Sequence, residues 1–479
     1  MEDFRLIEPG FLPPLDREFR PAVLANRAFL EEVSGAGVPL VFGLERGDGS
    51  LSRYETRVFP PGHPRAGADL RFAERIFKFL LWQRGGWKVH VGGPGFIGRH
   101  LQACYAPEGV RAFDHRFMGE EVYGRPFTVR PCDPDEVPGE KERGQPLGRH
   151  LDGCRIGFDL GASDRKVSAV VDGRPVFSEE VVWEPRNHDD PEYHYREIMA
   201  ALNKAASKLP RVDAVGGSSA GVYVNNRVRV ASLFRGIPEE RYPRIRNLFL
   251  RIRDEMGVPL DVVNDGDVTA LAGSMSLEAG GVLGIAMGSS EASGYVTLEG
   301  NITGWLNELA FAPVDYNPDA PEDEWSKDRG CGVQYFSQQC VFRLAPAAGI
   351  RIPAGMSDAE KLEAVQEKLE AGDEGAARIW QSMGVYLGYA LAHYADFYEV
   401  KHVLILGRCT SGKGGHIILD HAAEVLKAEF PALAARINIQ LPDEKSRRVG
   451  QSIAAASLPV IEQETENEIQ SRDGRGVRP

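Results

Sequence analysis

Four short segments constrain this chain more than anything else in it. They read IGFDLGASDRKVSAVVDG (156–173), DVVNDGDVTALAG (261–273), GVLGIAMGSSEASGYVTLEG (281–300) and HVLILGRCTSGKGG (402–415). Each is an apolar run, rich in branched residues, that closes on glycines, small hydroxyl residues or acids. That is the pattern of a buried strand entering a tight turn. Glycine in such a turn lets backbone N–H groups approach a ligand, and consecutive N–H groups make an anion cradle. Four such turns in one chain, two of them with an acid at the turn, point to a nucleotide site between two lobes.

The chain has 479 residues, enough for two to four domains at about 100–200 residues each. Its net charge of −13 argues against a mainly electrostatic grip on nucleic acid or an anionic membrane, which needs a basic face. The most basic stretch, RYPRIRNLFLRIR (241–253), carries Leu248, Phe249, Leu250 and Ile252, so it reads as a solvated helix with one buried face. The six cysteines form no C-x-x-C pair and have no metal spacing. With no signal-peptide pattern in MEDFRLIEPG, the expectation is a reducing, cytoplasmic setting. No apolar run reaches the ~18 residues of a membrane span.

Residues 1–150 read as an α/β extension. LANRAFLEEVS is helix-like, PLVFGLERGDGSLSRYETRVF is a hairpin turning at Gly47-Asp48-Gly49, RFAERIFKFLLWQR is a helix and WKVHVGG a strand. The polar segment 132–150 reads as a linker or surface loop. Residues 151–274 form a first lobe and 275–443 a second. A helix at 444–463 packs back on the first lobe, and a polar tail, 464–479, is expected to be disordered. Strand, hairpin, helix and strand in that order, twice, fit duplicated α/β lobes.

Two readings stand at most of these turns. Asp159 in DLGAS can hold Mg²⁺ through water, with Gly161, Ala162 and Ser163 facing phosphate oxygens, or the segment is an ordinary hairpin turn. Lys166 either balances phosphate charge or is an exposed strand residue. Asp265 in VVNDGD follows a strand and can accept the proton of an attacking hydroxyl, with Asn264 bonding a neighbouring hydroxyl. Asp267 reads as the N-cap of the helix that follows. Gly284, Gly288, Ser289, Ser290 and Gly294 offer a second phosphate turn, and Gly407 with Gly412–Gly415 a turn that approaches a base and ribose. Lys413 does not make a P-loop, because Gly414 follows it. Gly93-Pro94-Gly95-Phe96-Ile97-Gly98 fits a dinucleotide fingerprint on paper. Its inner proline, and the lack of an acid about 20 residues on, favour a structural turn.

In this order the segments resemble the phosphate-1, phosphate-2 and adenosine motifs of the actin-like ATPase and sugar kinase superfamily, and most nearly those of the ROK family (repressors, open reading frames and kinases). The resemblance rests on D-L-G-A-S from Asp159, V-N-D from Val263, G-I-A-M-G-S-S from Gly284, N-E-L-A-F-A-P-V from Asn307 and L-G-R from Leu406, and spans about 155–460. It implies two actin-like (ribonuclease H-like) α/β lobes with a central cleft, a cytoplasmic enzyme using ATP and Mg²⁺, a sugar-like substrate and a possible homodimer. It implies Asp265 as the base, and Asn264, Glu308 and Ser219 at the substrate. Asp159, Gly161, Ala162, Ser163, Lys166, Gly284, Gly288, Ser289, Gly407 and Arg408 would lie at the nucleotide, with Asp159 positioning Mg²⁺.

The departures matter as much. The family's zinc-binding His falls on Phe311, and its zinc cysteines on Arg329, Cys331 and Phe336, so one ligand at most remains and no zinc site is expected. The acidic insertion 315–325 lies in the same place. A faint likeness of LANRAFLEEVSGAGVPL to a winged-helix segment runs into a strand, so DNA binding is not expected. The alternative reading is a non-catalytic sugar or nucleotide sensor, or an ATPase, with the extension as a partner-binding module.

Overall fold

The structure is a computed structural model. It describes residues 4–47, 49–142, 147–442 and 444–461, with side chains of 444–449 excepted. The tail 464–479, and Asp48 at the tip of the expected hairpin, lie outside the described residues.

The N-terminal region has its own sheet, in the order β2-β1-β3-β4. Strands β1 (Val38–Glu45) and β2 (Leu51–Val58) are the expected hairpin, β3 (Lys88–Gly92) pairs antiparallel to β1, and β4 (Thr128–Cys132) parallel to β3. Around it lie α1 (Ala22–Val33), α2 (Ala68–Arg84) and α3 (Gly95–Cys104). Apolar residues run round α2, which is buried along almost its whole length and ends on Gly85 at φ 77°, a conformation glycine adopts without strain. The G-x-G-x-x-G turn opens α3, and a Cβ on Gly98 would press on Pro131 of β4. Its third glycine thus serves close helix–strand packing.

The first lobe holds a five-stranded sheet of order β11-β8-β5-β6-β7. Antiparallel β5 (Cys154–Leu160), β6 (Asp164–Val171) and β7 (Arg174–Val182) come first, and α4 (Pro191–Ala206) crosses over to β8 (Ala214–Ser219). A small hairpin, β9 (Val222–Val224) and β10 (Arg227–Val230), precedes β11 (Leu260–Asn264). Strands β8 and β11 run parallel to β5. The basic stretch forms two short helices, in which Leu248, Phe249 and Ile252 enter this lobe's core.

Helix α5 (Asp265–Ser276) leads to the second lobe, where the same order recurs with one strand fewer: β13-β12-β14-β15. Strands β12 (Val282–Met287) and β13 (Glu291–Val296) are antiparallel. After α6 (Glu374–Tyr394) come β14 (His402–Leu406), α7 (Lys413–Glu429) and β15 (Asn438–Gln440), with β14 and β15 parallel to β12. The counterpart of β7 is reduced to isolated bridges at Ile302, one to Val296 and one to Leu147 of the N-terminal region. Helix α8 (Glu444–Ala456) returns to the first-lobe sheet. It lies so close that a Cβ on Gly157 would strike the Ser452 carbonyl and one on Gly216 the Ala455 carbonyl.

The N-terminal region packs mainly on the second lobe. One continuous core joins Phe19, Phe29, Phe72, Phe79 and Trp82 to Tyr316, Tyr335, Tyr386 and Tyr394 of the second lobe. Phe19 meets Tyr386 edge-on at 4.8 Å, and Phe79 meets Phe397 at 4.1 Å. Ala22 N donates to Val314 O at 2.9 Å, and Tyr316 N to Arg20 O at 2.9 Å. The segment just after the acidic insertion is pinned there as well. Asp328 accepts from Arg75 at 3.0 Å, Lys78 at 3.1 Å and Arg111 at 2.6 Å, all of them buried or nearly so. These cations hold its carboxyl near pH 2 despite burial.

Candidate active site

The first turn of α5 is the centre of the site. Asn264 caps the helix: its Oδ1 accepts from Gly266 N at 2.7 Å, and its Nδ2 donates to Gly221 O at 2.7 Å. The helix therefore starts at Asp265, two residues before the expected Asp267 cap. Asn264 keeps one N–H and one lone pair for a ligand. The close approach of α5 to β13 depends on a glycine pair, since a Cβ on Gly294 would strike the Gly266 carbonyl and one on Gly266 the Ser293 carbonyl. Gly294 thus serves packing.

Asp265 lies between two other acids. Burial raises its carboxyl to about 6, and the Asp159 charge adds to this. Burial likewise raises Glu308 to about 7, with Asp265 as the second cause. Two carboxylates near one another resist ionising together. Asp159 is the penultimate residue of β5, 8% exposed, and accepts from Ser218 Oγ at 2.6 Å. Its pKa is raised by burial against that bond and the attraction of Lys166, which sits directly opposite in the β5–β6 register.

The glycine turns divide into those that face open space and those that do not. Ala162 and Ser163 are exposed at the β5–β6 tip, with Gly161 half-buried beside them. Gly161 N is held by Asp164 O at 2.9 Å. Lys166 pairs with Asp164 at 3.1 Å, and Ser163 Oγ donates to the same carboxylate at 3.1 Å. Gly288 opens the β12–β13 turn, and Ser289 and Ser290 stand exposed on it. Gly284 departs from its expected place. It lies mid-strand, opposite Gly294 and against Ala270 of α5, and takes no part in the turn. Ser219 is also spoken for: it is fully buried and accepts from Tyr223 OH at 2.6 Å.

Two cavities flank α5. One, ≈540 Å³, lies along its C-terminal turns, bounded by Thr269, Gly273, Leu404, Gly407, Arg408 and Leu441 among others. Both the expected Gly407 and Arg408 face it. The other, ≈370 Å³, lies at the N-terminal end of α5. Asn264, Asp267 and Glu308 line it, with Asn225, Asn226 and Asp261 from the first lobe. Asp265, next to Asn264 in the chain, is not among the residues that line it, but its charge acts on Glu308, which is. From Asp265 to Ser276 the helix rises about 16 Å at ~1.5 Å per residue, so the two cavities open at opposite ends of one element.

Sequence reasoning missed several residues here. Asp267 accepts from Asn307 Nδ2 at 3.0 Å, and burial raises its carboxyl to about 8. Glu291, in the second turn, is 3% exposed, with Ser293 and Tyr394 beside its carboxyl. Burial and then the Glu308 charge push it to about 8. An acid three residues beyond the phosphate-type Gly288 was the available signal. Arg46, Gly47, Tyr123 and Leu147 of the N-terminal region also line the smaller cavity, and nothing local in their sequence marks them.

Phe311, where the resemblance put a zinc histidine, stacks on Trp82 of α2 at 4.3 Å. Arg329 is directed to Ala320 O and Glu322, and Phe336 is fully buried. Among the described residues no cluster of three or more His, Cys, Asp or Glu has metal-binding geometry, and no helix is long and apolar enough to cross a membrane.

No protein-family model matches the chain, and no curated protein sequence does. Solved structures do. A ROK hexokinase from Thermus thermophilus superposes with a TM-score of 0.51 at 18% identity, covering 67% of this chain and 100% of that one. A ROK family transcriptional regulator, a homolog of the E. coli MLC protein, superposes with a TM-score of 0.50 at 17% identity, covering 64% of this chain and 78% of that one. The two lobes therefore have the actin-like fold of ROK proteins, shared by a kinase and a regulator.

Proposed function

We propose that this chain transfers the γ-phosphate of ATP to a hydroxyl of a sugar or sugar-like polyol. The observation that carries the reading is the place of Asp265: on the first turn of α5, between the Asp159 turn and a polar cavity that contains Glu308. A carboxylate there takes the proton from a hydroxyl held in the cavity, and Glu308 and Asn264 orient that hydroxyl. Such proton transfer contributes about 10²–10⁴-fold. Most of the remaining catalysis of phosphoryl transfer is positioning and charge stabilisation.

The residues present fit the nucleotide and its metal. The ≈540 Å³ cavity with Gly407 and Arg408 suits a base and ribose, and the exposed turns at Gly161–Ser163 and Gly288–Ser290 suit phosphate oxygens. Asp159 would hold Mg²⁺ through water. Magnesium needs only one or two carboxylates when substrate phosphates complete its shell. When bound, the nucleotide supplies the phosphoryl group and the metal neutralises its charge.

One observation favours a second reading, a sensor that binds sugar without transferring phosphate. Asp164 puts a carboxylate at the tip of the first turn and occupies Lys166 and Ser163, both assigned above to the nucleotide. ADP release from Mg·ATP across hexoses, amino sugars and polyols separates the two. Sugar-stimulated release that falls roughly 10²–10⁴-fold in Asp265→Asn is the expected result. Sugar binding with no release makes the chain a sensor.

A further inference from the structure

We infer that the N-terminal region is the outer wall of the substrate cavity, and that Arg46 and Tyr123 on that wall restrict it to small, uncharged polyols. The inference rests on the assignment of the ≈370 Å³ cavity to the acceptor substrate. Arg46, Gly47, Tyr123 and Leu147 face Asn264, Asp267 and Glu308 across it. The wall is rigid. Tyr123, 8% exposed, lies against Gly47 and Gly85: a Cβ on Gly85 would strike its hydroxyl, and one on Gly47 would come within 3.2 Å of its ring. Arg46, 5% exposed, is fixed by Ser52 Oγ at 2.5 Å and by Glu142. Glu142 also accepts from the indole of Trp305, a second-lobe residue lining the same cavity, at 3.2 Å.

The same region positions the second-lobe acid. Glu308 N donates to Trp82 O at 3.0 Å and Asn307 N to Gln83 O at 2.8 Å, at the end of α2. Arg84 lies 4.9 Å over the Trp305 ring. The loop that carries Glu308 is therefore seated on the N-terminal region.

Charge and size define the occupant. Among the described residues lining the cavity, Arg46 is the one cation, and Glu142 already neutralises it. Asp261, Asp267 and Glu308 face the same space. A carboxylated or phosphorylated sugar would find no free cation here, and a charge taken out of water without a partner costs binding. The volume is at the small end of the roughly 300–1,000 Å³ of ligand sites. Tyr123, Tyr223 and Trp305 add aromatic surface beside the hydrogen-bonding groups, a combination that suits a compact ring with both C–H and hydroxyl faces.

The test is calorimetric binding of neutral monosaccharides, a disaccharide, a uronate and a hexose phosphate to the full chain, with ADP release measured in parallel. Wild type is expected to bind a neutral monosaccharide at least about tenfold more tightly than the others, or ~1.4 kcal/mol. Tyr123→Ala opens the wall and should reduce the monosaccharide-over-disaccharide preference by about that factor, while Tyr123→Phe keeps it. Arg46→Lys, which keeps the charge but loses the fork, should also shift the preference, and it carries the test if Tyr123→Ala does not fold. An equal loss of affinity for every ligand in both variants would make the wall merely structural and overturn the inference. So would a wild-type preference for the uronate or the phosphate. Binding with variant-dependent selectivity but no ADP release supports the inference and overturns only the kinase reading. Wild type that binds no sugar overturns both.

Discussion

The two lobes share a strand order and differ in what completes them. The first has five strands and closes its own core of Ile156, Phe158, Leu202, Phe249 and Val262. The second has four, and its core runs without a break into the N-terminal region. Where the first lobe has β7, the second has bridges at Ile302, one of them to Leu147. A repeated α/β unit can thus lose an edge strand when another part of the chain covers the exposed face.

The strongest way to break this comparison is to delete residues 1–132. The second lobe should then lose its core cover, and no soluble, cooperatively melting protein should result. A truncated chain with a single sharp thermal transition would show that the lobe stands alone. The next test sits on the seam. Asp328→Asn leaves Arg75, Lys78 and Arg111 buried against a neutral partner, and removing one member of a buried ion network costs about 3–5 kcal/mol. Chemical denaturation would measure it. A loss below about 1 kcal/mol would mean that the seam is held by its aromatic contacts alone. A smaller effect is expected inside the first lobe. Gly157→Ala drives a methyl into the Ser452 carbonyl, and such overpacking costs about 1–3 kcal/mol.

The smallest effect is on pH. Asp265, Glu308, Glu291 and Asp267 are raised to about 6, 7, 8 and 8. An acid raised in the folded state holds its proton there over a range where the unfolded chain has released it. The native state then binds more protons, and stability falls as pH rises. The melting temperature should therefore decline between about pH 5 and 8 and level off above. Asp328 acts the other way, with its contribution lost only as pH falls from about 4 toward 2. Glu291→Gln should flatten the upper part of the decline. An unchanged profile would mean that Glu291 is ionised and partnered.

Much of the framework was legible in the residues. The hairpin of β1 and β2, the strands entering each turn, α6 and the returning α8 all announce themselves by apolar period and by turn glycines. The strand-to-helix junction around Asp265 was also legible, because V-V-N-D-G-D joins a strand pattern to capping residues, although the helix begins earlier than the sequence suggests. Other features were set by tertiary packing and were not. Gly284 looked like a turn residue because glycine serves close packing as readily as turns, and only its Ala270 neighbour decides. Asp267 looked like a cap because Asn264 and Asp267 are both good capping residues, and only the bond from Gly266 N to Asn264 Oδ1 decides between them. The contact of Trp82 O with Glu308 N joins residues that are 226 positions apart (308 − 82), and no local pattern encodes it.

The seating of Glu308 on the end of α2 has a mechanical consequence. Trp82 O and Gln83 O hold the loop that carries Glu308, and Val222 of the small first-lobe hairpin belongs to the same continuous core. The N-terminal region therefore braces the cavity from both sides, so that a displacement of α2 would be felt at Glu308 and at the hairpin together.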